Sequence, residues 1–184
     1  GAGVGNGSSK RAQAAMSGPV GSSDTLKFRA SLSYSDTDGF LNNTYLREKA
    51  DPAEELSGRA RLVWKPSGNF TADLRFAFSN LDTRALYFVI PRDVEANPFS
   101  SFSTPPDANN VTSPIQLDNP GVNTRDLQTA SLKMDFETRL GTLTSVSANN
   151  GTKAVLPADA YDFRPAATSV FNAVFATDLN QSQY

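Results

Sequence analysis

The feature that most constrains this chain is a strict alternation of apolar and polar residues, repeated in separate runs. Across 26–35, Leu26, Phe28, Ala30, Leu32 and Tyr34 alternate with Lys27, Arg29, Ser31, Ser33 and Ser35. Period two over that length makes a strand and excludes a helix. Residues 56–65 repeat the pattern. Leu56, Gly58, Ala60, Leu62 and Trp64 share one face, and Ser57, Arg59, Arg61 and Lys65 the other, with Val63 the exception. In 70–79, Phe70, Ala72, Leu74, Phe76 and Phe78 oppose Thr71, Asp73, Arg75 and Ser79. In 129–139, Ala130, Leu132, Met134 and Phe136 alternate with Ser131, Lys133, Asp135, Glu137 and Arg139. A shorter run, 142–148, follows the tight turn at Leu140-Gly141.

Composition narrows the function classes. The 184 residues fit one domain or a piece of something larger. With 17 Lys plus Arg and 19 Asp plus Glu, the chain lacks the basic excess of a nucleic-acid binder. Cysteine and histidine are absent, which removes disulfides, zinc-thiolate sites, a Cys nucleophile and Ser-His-Asp catalysis. The longest apolar run, 85–90, is too short for a membrane-spanning helix. The opening Gly-Ala-Gly-Val-Gly has no basic region leading into an apolar stretch, so no signal peptide is expected.

The connections alternate between short and long. Pro66-Ser67-Gly68 reads as a three-residue hairpin loop with Gly68 left-handed. Residues 18–25 form another short, turn-rich link. The long connections are 36–55, 80–126 and 149–170, the middle one holding Pro91, Pro98, Pro105, Pro106, Pro114 and Pro120. The hairpin predicts a register in which Trp64 faces Phe70, Leu62 faces Ala72, Ala60 faces Leu74 and Phe76 covers Gly58. Arg61 then meets Asp73 directly across the ladder. Arg59 faces Arg75, an unfavourable pair that calls for an intervening carboxylate.

A soluble sandwich also alternates apolar and polar residues, and such a module binding a carbohydrate or other ligand is the rival reading. Three features favour a transmembrane barrel: long strands, turns short on one side and long on the other, and aromatic residues at strand ends. Trp64 and Phe70 flank the short turn, and Tyr34, Phe40 and Phe78 lie toward the long connections. The charged face suits a wet interior, whereas an Arg or Lys at mid-depth on the lipid face costs roughly 2–4 kcal/mol. Register is thereby pinned. The expected fold is all-β: an antiparallel up-and-down transmembrane β-barrel segment of about six to seven strands.

Several motifs resemble the early barrel strands of TonB-dependent outer-membrane receptors. They are Ser17-Gly18-Pro19-Val20, Asp24-Thr25-Leu26-Lys27-Phe28-Arg29 and Asp38-Gly39-Phe40-Leu41-Asn42-Asn43. Val63-Trp64-Lys65-Pro66-Ser67-Gly68-Asn69-Phe70-Thr71 resembles the family's periplasmic turn, and Leu140-Gly141 with 142–148 the turn and rising strand after it. The resemblance implies a partial barrel over 1–184, without plug, belonging to a longer receptor in a Gram-negative outer membrane. It implies import of a scarce bulky ligand of the siderophore, cobalamin or saccharide class. The implied partners are outer-membrane lipid, the receptor's own plug, the TonB complex acting through that plug, and a small ligand such as a siderophore. Asn149 and Asn150 depart from the family, which places an aromatic residue near that strand end.

Strand parity nominates Arg29, Arg59, Arg61, Asp73, Arg75, Asp135 and Glu137 as lumen-facing or plug-facing. The run 85–90 is apolar on both faces and so belongs among the long connections, where Tyr87, Phe88, Phe99 and Phe102 are nominated as loop contacts to ligand. No catalytic, cofactor or metal role is expected. Residues 1–10 fail the phosphate-loop pattern, since no Lys-Ser or Lys-Thr follows the last Gly. Asp135 and Glu137 read as part of a charge ladder with Lys133 and Arg139 rather than as a glycosidase pair. Asp36, Asp38, Asp51, Glu54 and Glu55 lack the ordered ligand spacing of a calcium loop. The sequons at Asn42 and Asn150 carry no weight in a bacterial envelope protein.

Overall fold

The structure is a computed structural model that describes residues 1–22, 24–84, 119–159 and 174–183. Ten strands form among them: β1 (Ala2–Gly5), β2 (Ser9–Pro19), β3 (Leu26–Thr37), β4 (Asn42–Asn43), β5 (Glu48–Lys49), β6 (Ala53–Ser67), β7 (Phe70–Thr83), β8 (Asn123–Thr138), β9 (Gly141–Asp159) and β10 (Val174–Gln183). Eight of them make one sheet in the order β1-β2-β3-β6-β7-β8-β9-β10. Every pairing is antiparallel and between neighbours along that order, an up-and-down meander. β4 and β5 form a small separate hairpin. No helix occurs among the described residues. The all-β, up-and-down expectation is met, and the open sheet has the form of a barrel segment. It has eight strands among the described residues rather than the expected six to seven, because the glycine-rich β1 and the polar β10 gave no alternation to read.

The alternating runs are the middles of longer strands. On the long-connection side β6 reaches three residues and β7 four beyond the patterned stretch. β9 runs on to Asp159, so the first part of the expected 149–170 connection is strand. Residues 1–10 are β1 and a hairpin. Gly7 (φ 69) and Ser8 (φ 54) occupy its two turn positions, where positive φ matches the twist of the flanking strands.

The β6–β7 register differs from the predicted one by two positions. Leu62 faces Leu74, Ala60 faces Phe76, and Gly58 faces Phe78. The turn is shorter than expected: Ser67 pairs with Phe70, leaving Gly68 and Asn69 at the tip, and Gly68 is not among the residues of positive φ. The ladder breaks between Trp64 and Ser67. Pro66 has no N–H to give, so an extra residue is accommodated there as a bulge. A shift by an even number preserves parity, so the faces are as expected while the partners are not. The rings of Trp64 and Phe70 still meet edge to face, centroids 6.0 Å apart.

No second layer packs on this sheet among the described residues, where Ala50 is the one buried apolar side chain. Leu32, Leu62, Leu74, Phe76 and Phe136 are all exposed on one face. Directly paired residues share a face. One row across that face reads Phe28, Leu62, Leu74 and Leu132, and the next Ala30, Ala60, Phe76 and Ala130. Beyond β8 the apolar surface continues at Leu143, opposite Phe136, and then gives way to polar residues. In β9 the residues opposite Met134, Leu132 and Ala130 are Ser145, Ser147 and Asn149.

Candidate functional site

The opposite face gathers the charged residues. Arg29, Arg61 and Arg75 stand directly opposite one another across β3, β6 and β7. Three like charges in one cross-strand row repel. Asp73 relieves two of them from the adjacent row. Arg61 donates from Nε and Nη2 to Asp73 Oδ1 and Oδ2 at 2.9 and 2.8 Å, a two-pronged pair. Arg75 donates from Nη2 to Oδ2 at 2.6 Å, with Nε at 3.2 Å. The Asp73 side chain is 10% exposed, while Arg61 and Arg75 keep 51% and 57%.

The expected Arg61–Asp73 ion pair therefore forms, but diagonally, because Asp73 itself faces Val63. The carboxylate expected between two opposed arginines is present too, between Arg61 and Arg75 rather than Arg59 and Arg75. Arg59 faces Ala77. Arg29 and Arg59 take part in none of the ion pairs found among the described residues. Both line a hollow of ≈ 460 Å³ with Arg61, Arg75, Ser31, Thr129 and Ser131.

Further along the same face Lys133 Nζ lies 2.8 Å from Asp135 Oδ2, and Thr144 Oγ1 donates to Asp135 Oδ1 at 2.7 Å. Asp135 is thus held by Lys133, one rung of the expected ladder, while Glu137 and Arg139 take part in none of the ion pairs found among the described residues. Glu137 lies two residues on and is exposed. Tyr87, Phe88, Phe99 and Phe102 lie outside the described residues.

The connection between β3 and β6 is built on polar side chains. Asp51 Oδ1 accepts from the backbone N–H of Phe40 at 2.9 Å and of Leu41 at 2.7 Å. Asn43, almost fully buried, accepts from the N–H groups of Tyr45 and Leu46. Lys49 Nζ reaches Asn42 Oδ1 at 2.7 Å. No grouping of acidic residues suited to a metal occurs among the described residues. This scaffold holds Phe40 and Tyr45 outward, both exposed. Sequence reasoning placed Phe40 at a strand end but missed the hairpin that presents it. The signal was Asn42-Asn43, whose side chains favour turns.

No family model matches the chain, and no curated protein matches it by sequence. Among solved structures, FpvA of P. aeruginosa bound to a heterologous pyoverdine with iron matches with a TM-score of 0.64 at 14% identity. The match covers 97% of this chain and 22% of that one, so the chain spans about a fifth of the length of FpvA. At that identity the likeness is one of fold.

Proposed function

We propose that this chain is a segment of the barrel wall of a TonB-dependent outer-membrane receptor, acting in active uptake of a bulky ligand. The observation that carries the reading is a single sheet whose two faces suit two solvents. On β3 the apolar face runs from Leu26 to Tyr34 and ends at a row of carboxylates, Asp36, Glu54 and Asp82. Nine residues span about 26 Å along a strand. At the usual tilt that is about 20 Å of depth, close to the roughly 25 Å apolar band of outer-membrane barrels. Trp64, Phe70 and Phe136 lie at the short-turn end, where an aromatic girdle belongs.

In this reading the apolar face touches lipid and the charged face lines a wet lumen. Arg29, Arg59, Arg61 and Arg75 meet the receptor's plug, through which the TonB complex acts. The long connections bind ligand, with Tyr87, Phe88, Phe99 and Phe102 as contacts. The motif resemblance leaves the siderophore, cobalamin and saccharide classes open, and the fold likeness to a protein holding an iron–pyoverdine complex supports an iron chelate among them. No reaction chemistry is proposed.

Nitroxide labels placed singly along 56–64 in the protein reconstituted in lipid test the orientation. Labels at Leu56, Ala60 and Leu62 are expected to relax with oxygen dissolved in hydrocarbon. Those at Ser57, Arg59 and Arg61 are expected to relax with a water-borne nickel chelate. Nickel access at Leu62 and Ala60 would overturn the membrane reading and favour a soluble sheet.

A further inference from the structure

We infer that the charged face carries a seat for an oxyanion, a phosphate or carboxylate group, between β3, β6 and β7. The inference goes beyond the receptor reading and does not rest on it, since the arginines share this face whether or not the sheet crosses a bilayer. Among the residues lining one hollow of ≈ 460 Å³ are Ala60, Phe76, Ala77 and four arginines, Arg29, Arg59, Arg61 and Arg75. A single carboxylate, Asp73, serves two of them. The other two have no ion-pair partner among the described residues. The site is therefore short of negative charge, in a row where like charges face each other directly.

The arrangement is selective in kind. Guanidinium forks match the paired oxygens of carboxylate and phosphate, which a spherical halide does not offer. Ser31, Thr129 and Ser131 line the same hollow, and their side chains carry hydroxyl donors. Asp73 acts as a positioning residue. Its contacts tie down Arg61 and Arg75, while Arg29 and Arg59 take part in none of the ion pairs found among the described residues. Arginine rings around pores select anions by the same means. The oxyanion has two sources, a free solute or a carboxylate side chain of a polypeptide lying on this face.

Phenylglyoxal modification of the purified protein, read by peptide mass spectrometry with inorganic phosphate as probe, separates the outcomes. Phosphate in the millimolar range is expected to slow modification of Arg29 and Arg59 by about tenfold, leaving the exposed Arg47 and Arg139 unchanged. The Arg29→Gln/Arg59→Gln variant is expected to lose about tenfold in phosphate affinity by calorimetry. Slow modification without phosphate, relieved by about 1 M NaCl, would assign the seat to a polypeptide carboxylate instead of a free anion. If Arg29 and Arg59 react as fast as Arg47 and Arg139 at every phosphate and salt concentration, the inference falls. A soluble sheet and a membrane-spanning one give the same protection, so this outcome is independent of the nitroxide result.

Discussion

Asp73 settles the electrostatics of the charged face at the level of single residues. It is nearly buried between two half-exposed arginines that would otherwise confront each other across β6 and β7. Because both arginines retain water, the loss of Asp73 is screened. Asp73→Asn is expected to lower unfolding stability in detergent micelles by about 1–2 kcal/mol, read as a shift in the guanidinium midpoint. A second change, Arg75→Gln, removes the confrontation and should recover part of that loss. Full additivity of the two would mean that Arg61 and Arg75 do not share Asp73. On the other face, Gly58 is set by shape. A Cβ there would lie 2.8 Å from Phe78 Cζ and 3.3 Å from Leu32 Cδ1. The ring covers backbone that the glycine leaves bare. Gly58→Ala should cost about 1–2 kcal/mol, and much less in a Phe78→Ala background, by the same midpoint measurement.

Each strand's legibility followed from how many large residues marked its alternation. β3, β6, β7 and β8 were readable because Leu, Phe, Tyr, Trp and Met fill most of the alternating apolar positions, with Ala or Gly at the rest. β2 alternates as well, with Lys10, Ala12, Ala14, Met16 and Gly18 on one face, but Ala15 blurs the other and small side chains give little contrast. β1 is Ala-Gly-Val-Gly, whose glycines disfavour a strand, and β10 is largely polar. Pairing supplies what propensity lacks there, and pairing is not visible in one strand's sequence. β9 shows a true conflict. Its apolar Val146 and Ala148 face Lys133 and Ser131, while the polar Ser145 and Ser147 stand on the side of the sheet that is apolar in β8. The backbone ladder sets that orientation, against the side-chain pattern. The charged site was legible as membership of a face but not as geometry, because the bulge at Pro66 moved the partners. That register is testable in a chain free of native cysteine. The pair Leu62→Cys/Leu74→Cys, directly opposed, should form a disulfide under mild oxidation, read by non-reducing electrophoresis. Ala60→Cys/Leu74→Cys, a diagonal pair about 7–8 Å apart, should not.

Over the whole molecule the formal charge of −2 conceals a strong segregation. The charged face carries Arg11, Lys27, Arg29, Arg59, Arg61, Arg75, Arg125 and Lys133 against Glu55, Asp73, Asp135 and Glu137. The acidic excess lies at the long-connection end, at Asp36, Asp38, Glu48, Asp51, Glu54 and Asp82. A net-charge argument that sets aside nucleic acid says nothing about such a face, because it averages over a molecule with two unlike surfaces. The apolar surface makes the same point about stability. A soluble domain gains about 25 cal/mol for each Å² of apolar surface removed from water. Here Leu32, Leu74 and Phe76 remain 51%, 46% and 44% exposed, and β1 and β10 leave strand edges without a partner among the described residues. A single sheet in that condition is stabilised by lipid or by pairing with further strands, and in water its edges recruit other copies. The 184-residue chain expressed alone is therefore expected to sediment as aggregate in detergent-free buffer. In micelles of a mild maltoside detergent it should give a strand-type circular dichroism spectrum. A monodisperse chain that melts cooperatively without detergent would show that something other than lipid covers the apolar face, and the barrel-wall reading would fail with it.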